Sequence, residues 1–343
     1  MGYVASAAST SQSWRKRIAP AITLLILAPV VAEVLSGATR VSFLVVLIPE
    51  IMVWGCGALM IREIALRWRA GWTSMLLLGL ALAVAEEFII QQTSIAPLPW
   101  LSGQAYGRAF GVNWVYFLYM LGYESVWVVL VPIQLTQLIF PERRNEEWLR
   151  TGGLVISAPV FMLGSFIAWF TWTQQARTVV FHAPKYSPPP ALIFAGLLAI
   201  ALLAAAAWAV RGIADAGMSP SRKAPNPWLV KMGTFLLGMP WWVLISLVFI
   251  PNVPIAPAIP LAAGLLWAIL AYAVIRRWSS STEWSDIHRW GVVFSAILVC
   301  MVGGFAGSSV WPRIDVIGKA VLNVIAVVSL LALARKLSNS RTT

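Results

Sequence analysis

Apolar residues run almost unbroken through stretches at 18–36, 42–64, 71–96, 113–140, 152–174, 190–210, 229–250, 257–275, 290–308 and 317–334, with polar residues gathered in the gaps. Each stretch is about 20 residues long, enough for an α-helix to cross the ~30 Å hydrocarbon layer of a bilayer. The pattern predicts an all-α fold, a polytopic transmembrane helix bundle of about ten spans forming a single membrane domain over residues 1–343. Pro49 offers another start to the second span, with the helix opening at Glu50 and residues 42–48 entering as re-entrant or extended chain. A carboxylate there would suit the positive end of the helix dipole. The first run follows Trp14-Arg15-Lys16-Arg17, as a signal peptide would, and is read as a retained helix. No internal repeat is evident, although a five-plus-five inverted arrangement would suit a transporter.

Composition explains what covers such a chain. Hydrophobic residues make up 59% and charged residues 11%, against roughly 25% charged in soluble domains. Lipid must therefore cover much of the surface. The net charge of +12 would suggest nucleic acid if the basic residues shared one face. They fall instead in short clusters between apolar runs. Alternating the loops leaves Arg40, Arg108, Arg177, Lys185, Arg313 and Lys319 on one side and all other Lys and Arg residues on the opposite side. By the positive-inside rule both termini are cytoplasmic, and the chain is a multi-pass protein of the plasma (inner) membrane. Tryptophans mark the same boundaries, with Trp68, Trp72, Trp148, Trp228, Trp278 and Trp290 at inner ends and Trp100, Trp114, Trp172 and Trp311 at outer ends. Cys56 and Cys300 lie within apolar runs, so no disulfide framework is implied.

The candidate chemistry lies in the carboxylates. Glu33, Glu50, Glu86, Glu87 and Glu124 sit inside apolar spans, all within an acidic four-helix portion at 18–140. The apolar six-helix portion at 152–334 has no acidic residue in its span interiors. Ionisable groups in a bilayer are costly and mark functional sites by default. At about 1.5 Å per residue, Glu33, Glu50, Glu86 and Glu124 fall ~18–24 Å from the inner ends of their helices, in one layer of the outer half. On the third helix Glu86, Glu87, Gln91, Thr93 and Ser94 share an arc with Gly79 and Ala83, small residues that let another helix approach. The fourth carries Tyr116, Tyr123 and Gln134 on one stripe, with Glu124 about 80–100° around it and Pro132 positioned to bend it. Clustered carboxylates offer general acid–base capacity, a proton-coupling site or a hard-cation site. Arg62-Glu63 reads as a surface ion pair at the inner edge, and Gly303 and Gly307 as a helix-packing Gly-x-x-x-Gly spacing.

The Glu86-Glu87 pair, closing a run of small and apolar residues, resembles the first motif of the CAAX-processing and bacteriocin-processing peptidase-like (CPBP) membrane proteins. The resemblance covers residues 50–150 at most and implies a glutamate-dependent or metal-assisted hydrolytic site. In that family arginine stands four positions after the second Glu, where this chain has Gln91. The family's intramembrane histidines have no counterpart, since His182 and His288 both lie outside the spans, and Glu124 occupies the helix expected to carry the first of them. Without imidazole a zinc site is not expected. The run Arg62-Glu63, Arg67, Gly71-Trp72, Glu86-Glu87, Gln92 and Val131-Pro132-Ile133 is also similar to uncharacterised bacterial multi-span membrane proteins, a likeness that implies no activity.

Three functions fit these residues: a CPBP-like intramembrane peptidase or hydrolase, in degenerate form or not; a proton- or cation-coupled transporter; and a non-catalytic membrane subunit binding a peptide, lipid or partner helix. The first ranks ahead because the Glu-Glu pair has a named precedent. Its candidate catalytic residues are Glu86, Glu87 and Glu124, with Glu33, Glu50, Gln91 and Tyr123 as candidate substrate- or ion-binding residues and no metal ligands. The sequence names no cofactor and fixes no oligomeric state. The expected partners are the lipid bilayer and a membrane peptide or small ion, not nucleic acid.

Overall fold

The computed structural model describes residues 18–99, 101–212 and 223–339. Trp14, Arg15, Lys16, Arg17, Trp100, Arg222, Arg341 and both chain ends lie outside the described residues. Among the described residues, nine helices are long and apolar enough to cross a membrane. They are α2 (Val41–Arg67), α3 (Trp72–Ile90), α4 (Trp114–Ile139), α5 (Thr151–Val180), α6 (Pro190–Ala209), α7 (Pro227–Leu247), α8 (Ala258–Ser279), α9 (Asp286–Gly303) and α10 (Arg313–Asn339). A shorter apolar helix, α1 (Ile18–Val34), precedes them. The chain is thus a predominantly helical, multi-pass membrane protein. Every apolar run of the sequence has become a helix. Differences at the ends come from polar residues that continue a helix past its apolar run, such as Asp286 to Arg289 in α9 and Arg335 and Lys336 in α10.

Burial separates a core from a periphery. In the most apolar windows of α3 and α9, 61% of residues are buried, against 6% in α8. Helices α2, α3, α4 and α9 therefore form the interior, while α5, α6, α7, α8 and α10 turn much of their surface outward. The outer helices pack on the core pairwise, α6 on α3, α5 on α2 and α7 on α9. Small residues set the closest crossings. A Cβ on Gly79 of α3 would stand 3.2 Å from Ser125 of α4, and one on Gly55 of α2 would collide with the Leu25 carbonyl of α1.

One end of the bundle is closed by loops. Strands β1 (Arg108–Ala109) and β2 (Val112–Asn113) pair antiparallel, Arg108 with Asn113 and Ala109 with Val112. Phe110 and Gly111 between them both have positive φ (53° and 82°), as a two-residue hairpin of matching twist requires. Asn113 then caps α4, its side chain accepting from Tyr116 N–H at 3.0 Å. Arg108 donates to the carbonyls of Ile95 and Ala96, both at 3.0 Å, and Arg177 to that of Pro97 at 2.7 Å. Burial raises the Tyr186 hydroxyl above its ordinary range, and Arg108 and Arg177 beside it draw it partly back.

The opposite, arginine-rich end is built around Glu63, which is fully buried with Arg62 beside it. The two are therefore no surface ion pair. Glu63 accepts from Arg62 at 2.5 Å, Arg67 at 2.9 Å, and the N–H groups of Trp148 at 3.1 Å and Leu149 at 3.3 Å. Arg62 also stacks on the Trp148 ring at 3.7 Å. Trp148 and Trp290 are buried packing residues rather than members of an interfacial belt. Trp290 donates to Leu330 O at 2.8 Å, fastening α9 to α10.

Three further expectations are corrected. The second helix does not start at Glu50. It starts at Val41 as a tight 3₁₀ segment to Val46 that kinks at Phe43 (φ −120°, ψ 21°), leaving Glu50 in the helix interior. Gly303 and Gly307 share no helix face, because α9 ends at Gly303 and Gly307 adopts φ +80° beyond it. Arg177 and Arg313 belong to helices rather than loops.

Candidate functional site

Each of the four acidic helices changes its winding at its glutamate. A π-type segment, with hydrogen bonds reaching one residue further than in an α-helix, contains Glu33 in α1 (Val30–Val34) and follows Glu50 in α2 (Ile51–Gly55). Others open at Glu86 in α3 (Glu86–Ile90) and at Glu124 in α4 (Glu124–Leu130). Such segments concentrate at functional sites. In α4 the cause is local: Pro132 has no N–H to offer the preceding turn, and the wider winding accommodates its ring. The fifth π-type segment, Phe170–Val180 in α5, carries no carboxylate.

The glutamates converge. Glu86 and Glu87 are fully buried, Glu50 and Glu124 nearly so, and Glu33 is half-buried. Glu87 and Glu124 lie within hydrogen-bond range of each other. Glu86 is within Coulombic reach of Glu87 and Glu124, and Glu33 is within reach of Glu50, Glu86 and Glu124. Among the described residues no ion pair reaches any of the five.

Side-chain donors to this layer are hydroxyls, and among the described residues they are few, with the Ser94 backbone also reaching Glu87. Thr93 and Ser94 donate to Glu87 Oε2 at 2.7 and 2.5 Å, and Thr39 donates to Glu50 Oε1. The sequence placed Thr93 and Ser94 on a helical arc with the glutamates. Instead α3 ends at Ile90, the Gln91 and Gln92 N–H groups both donate to Glu86 O, and Gln92 turns left-handed at φ +60°. The chain doubles back, and the two hydroxyls meet Glu87 from outside the helix. Gln91 is half-buried at this turn. Both oxygens of Glu86, Oε1 of Glu87, and Oε2 of Glu50 and of Glu124 are buried with no donor.

Tyrosines wall the site on the α4 side. The Tyr116 hydroxyl lies against Thr93, within reach of Glu87 and Glu124. The Tyr123 hydroxyl donates to Ala32 O of α1, next to Glu33. Its ring stacks between Tyr119 and Trp127, with centroids 5.4 and 5.6 Å away. Tyr123 is thus a fastener between α4 and α1 at the edge of the carboxylate layer.

Two buried charges of α10 were missed as site-bordering residues in the sequence, where Asp315 precedes the apolar run at 317–334 and Lys319 lies near its start. Asp315 accepts from Ser42 N–H at 2.9 Å and from its hydroxyl at 3.0 Å, capping the start of α2. Lys319 donates to Leu35 O and Met301 O, both at 2.9 Å, and to the Asn323 side-chain oxygen at 2.9 Å. Its three protons are thereby matched by three acceptors. His288 is likewise structural, joining Ser285 at the α9 cap to Pro225 O at 3.0 Å. Among the described residues no three His, Cys, Asp or Glu side chains converge as metal ligands. The arrangement can hold and pass protons between carboxyls, and Glu86 can accept from a water or an amide N–H. No family model matches this chain, and no curated protein or solved structure is significantly similar to it.

Proposed function

We propose that this is a proton-coupled membrane protein of the transporter class, in which Glu87 and Glu124 share a proton and Glu86, Glu33 and Glu50 continue the path. The observation that carries the reading is the facing pair itself: Glu87 and Glu124 are buried and within interaction range of each other, and Glu87 Oε1 and Glu124 Oε2 are both buried without a donor. A hydrogen bond between two carboxyls needs at least one proton, because two carboxylates have no donor between them. With no cation at hand, binding or releasing that proton changes the net charge between α3 and α4. The π-type segments supply backbone able to shift register in response. Coupling by protonation of intramembrane carboxylates is a recurrent use of such residues in transporters.

The test is infrared difference spectroscopy of the purified protein across a pH titration, joined to proton flux into liposomes under an imposed gradient. A carboxyl C=O band should appear and vanish with pH, and should be lost in both Glu87→Gln and Glu124→Gln together with the flux. A spectrum without a titrating buried carboxyl, or flux untouched in both variants, overturns the reading. A second reading, a glutamate-dependent hydrolase, is favoured by Glu86, whose oxygens are both without donors and suited to orienting an attacking water. It expects cleavage of a membrane-embedded reporter peptide that Glu86→Gln abolishes.

A further inference from the structure

At the arginine-rich end, ~16–18 Å along the helices from the carboxylates, lies a cavity of about 230 Å³. Its wall comprises the end of α2, the start of α3, the end of α4, the following loop and the first turn of α9. Arg62, Arg144 and Arg289 line it with the amides of Gln134, Gln137 and Asn145, and no carboxylate faces into it. We propose that this cavity binds a phosphate group.

The guanidiniums are held in place from behind. Asp286 accepts from Arg144 and from Arg289, each at 2.7 Å, and Glu63 with the Arg144 carbonyl fixes Arg62. Glu63 also serves Arg67. Glu147 pairs with Arg67 as well, so among the described residues the carboxylates holding the three lining arginines are Glu63 and Asp286, and the cavity face keeps surplus positive charge. Arg144 also carries a buried Nε with no acceptor, so among the described residues Asp286 is the one carboxylate that holds its guanidinium. The N-terminus of α3 adds to the field. Gly71 and Trp72 line the cavity, and Gly71 supplies no side-chain cap to the first-turn N–H groups. Fixed guanidinium forks and an uncapped helix start are the donors that phosphate oxygens take best.

Ala65, Leu66, Ala70 and Met75 complete the wall, and Trp72 at its edge is 41% exposed. This mixture of apolar and cationic surface at the span ends suits the headgroup of an anionic phospholipid, and the same donors suit soluble phosphate. The site depends on nothing assigned to the glutamates.

Native mass spectrometry of the protein released from mixed phosphatidylglycerol–phosphatidylcholine nanodiscs, beside calorimetric titration with inorganic phosphate, distinguishes the two sources. Retention of phosphatidylglycerol over phosphatidylcholine identifies a lipid headgroup, and heat from phosphate without lipid preference identifies a soluble ligand. Two variants tie either result to the cavity. Arg289→Gln removes one guanidinium while Arg144 keeps Asp286 paired. Gln137→Glu puts a carboxylate in the wall at a residue whose side chain makes no hydrogen bond among the described residues. Each should weaken binding about tenfold or more, as expected for losing or opposing a charge-assisted contact. Absence of both lipid preference and phosphate heat, or binding unchanged in both variants, overturns the proposal.

Discussion

Glu63 and Glu86 are the same residue type, both without solvent exposure, on neighbouring helices. Glu63 receives two guanidiniums and two backbone N–H groups, whereas neither oxygen of Glu86 receives a donor. Burial alone therefore does not tell a structural carboxylate from a functional one. Satisfaction does. A buried ion with every lone pair occupied fixes one arrangement of the chain, while a buried carboxyl left wanting stores cost that folding alone does not require. The two ends of the bundle divide along this line.

The largest effect should come from breaking the satisfied site. Glu63→Ala leaves Arg62, 2% exposed, without its counterion, and frees the N–H groups of Trp148 and Leu149. Removing one partner of a buried pair typically costs about 3–5 kcal/mol. The melting temperature in detergent should fall steeply, with loss of folded protein on expression. A drop no larger than that of a surface substitution would break the comparison.

Lys319→Met should come next. The variant keeps the unbranched stem up to Cε but deprives Leu35 O, Met301 O and the Asn323 oxygen of a donor. Buried acceptors left unmade cost about 1–3 kcal/mol. A clear but smaller fall in melting temperature is expected, with the infrared signature of the glutamates retained. If the carboxyl band disappears as well, Lys319 belongs to the proton site and not to the scaffold.

What the sequence made legible follows from which forces are local. Helix positions could be read because the bilayer demands a long apolar run and little else, so 190–210 and Pro190–Ala209 nearly coincide. The common depth of the glutamates could be read because it depends on helix rise alone. Their hydroxyl donors could not. Thr93 and Ser94 reach Glu87 only because Gln92 turns left-handed, a conformation that glycine would have signalled and glutamine does not. The burial of Arg62 and Glu63 was hidden for another reason. Their partners Trp148 and Leu149 lie 85 and 86 positions from Glu63, and no local pattern reports such a contact. Asp315 was hidden by its own charge, which ends a hydropathic run even when the helix continues around it, and the acceptors of Lys319 on Leu35 and Met301 are too distant in sequence to be read.

The smallest effect on stability, and the largest on function, should come from Glu86→Gln. Glutamine keeps the volume and one carbonyl oxygen, exchanging the second oxygen for an amide that donates. In the Glu63 site such an exchange would set a donor against donors. Around Glu86 the neighbours are acceptors, with Glu87 adjacent and Glu124 and Glu33 in reach, so the new N–H groups gain partners where the carboxyl had none. A like charge is removed from the cluster at the same time. The melting temperature should stay within about 0.5 kcal/mol of wild type in equivalent stability, or rise, as at other sites where function opposes stability. Proton flux, or peptide cleavage on the second reading, should be lost. Glu86→Ala separates volume from chemistry. It loses the same function but also leaves a cavity, and so should melt below Glu86→Gln. If Glu86→Gln instead destabilises the fold as Glu63→Ala does, both carboxylates are structural. If it leaves flux and cleavage intact, Glu86 takes no part in the chemistry of this layer, and the proton path must run through Glu87 and Glu124 alone.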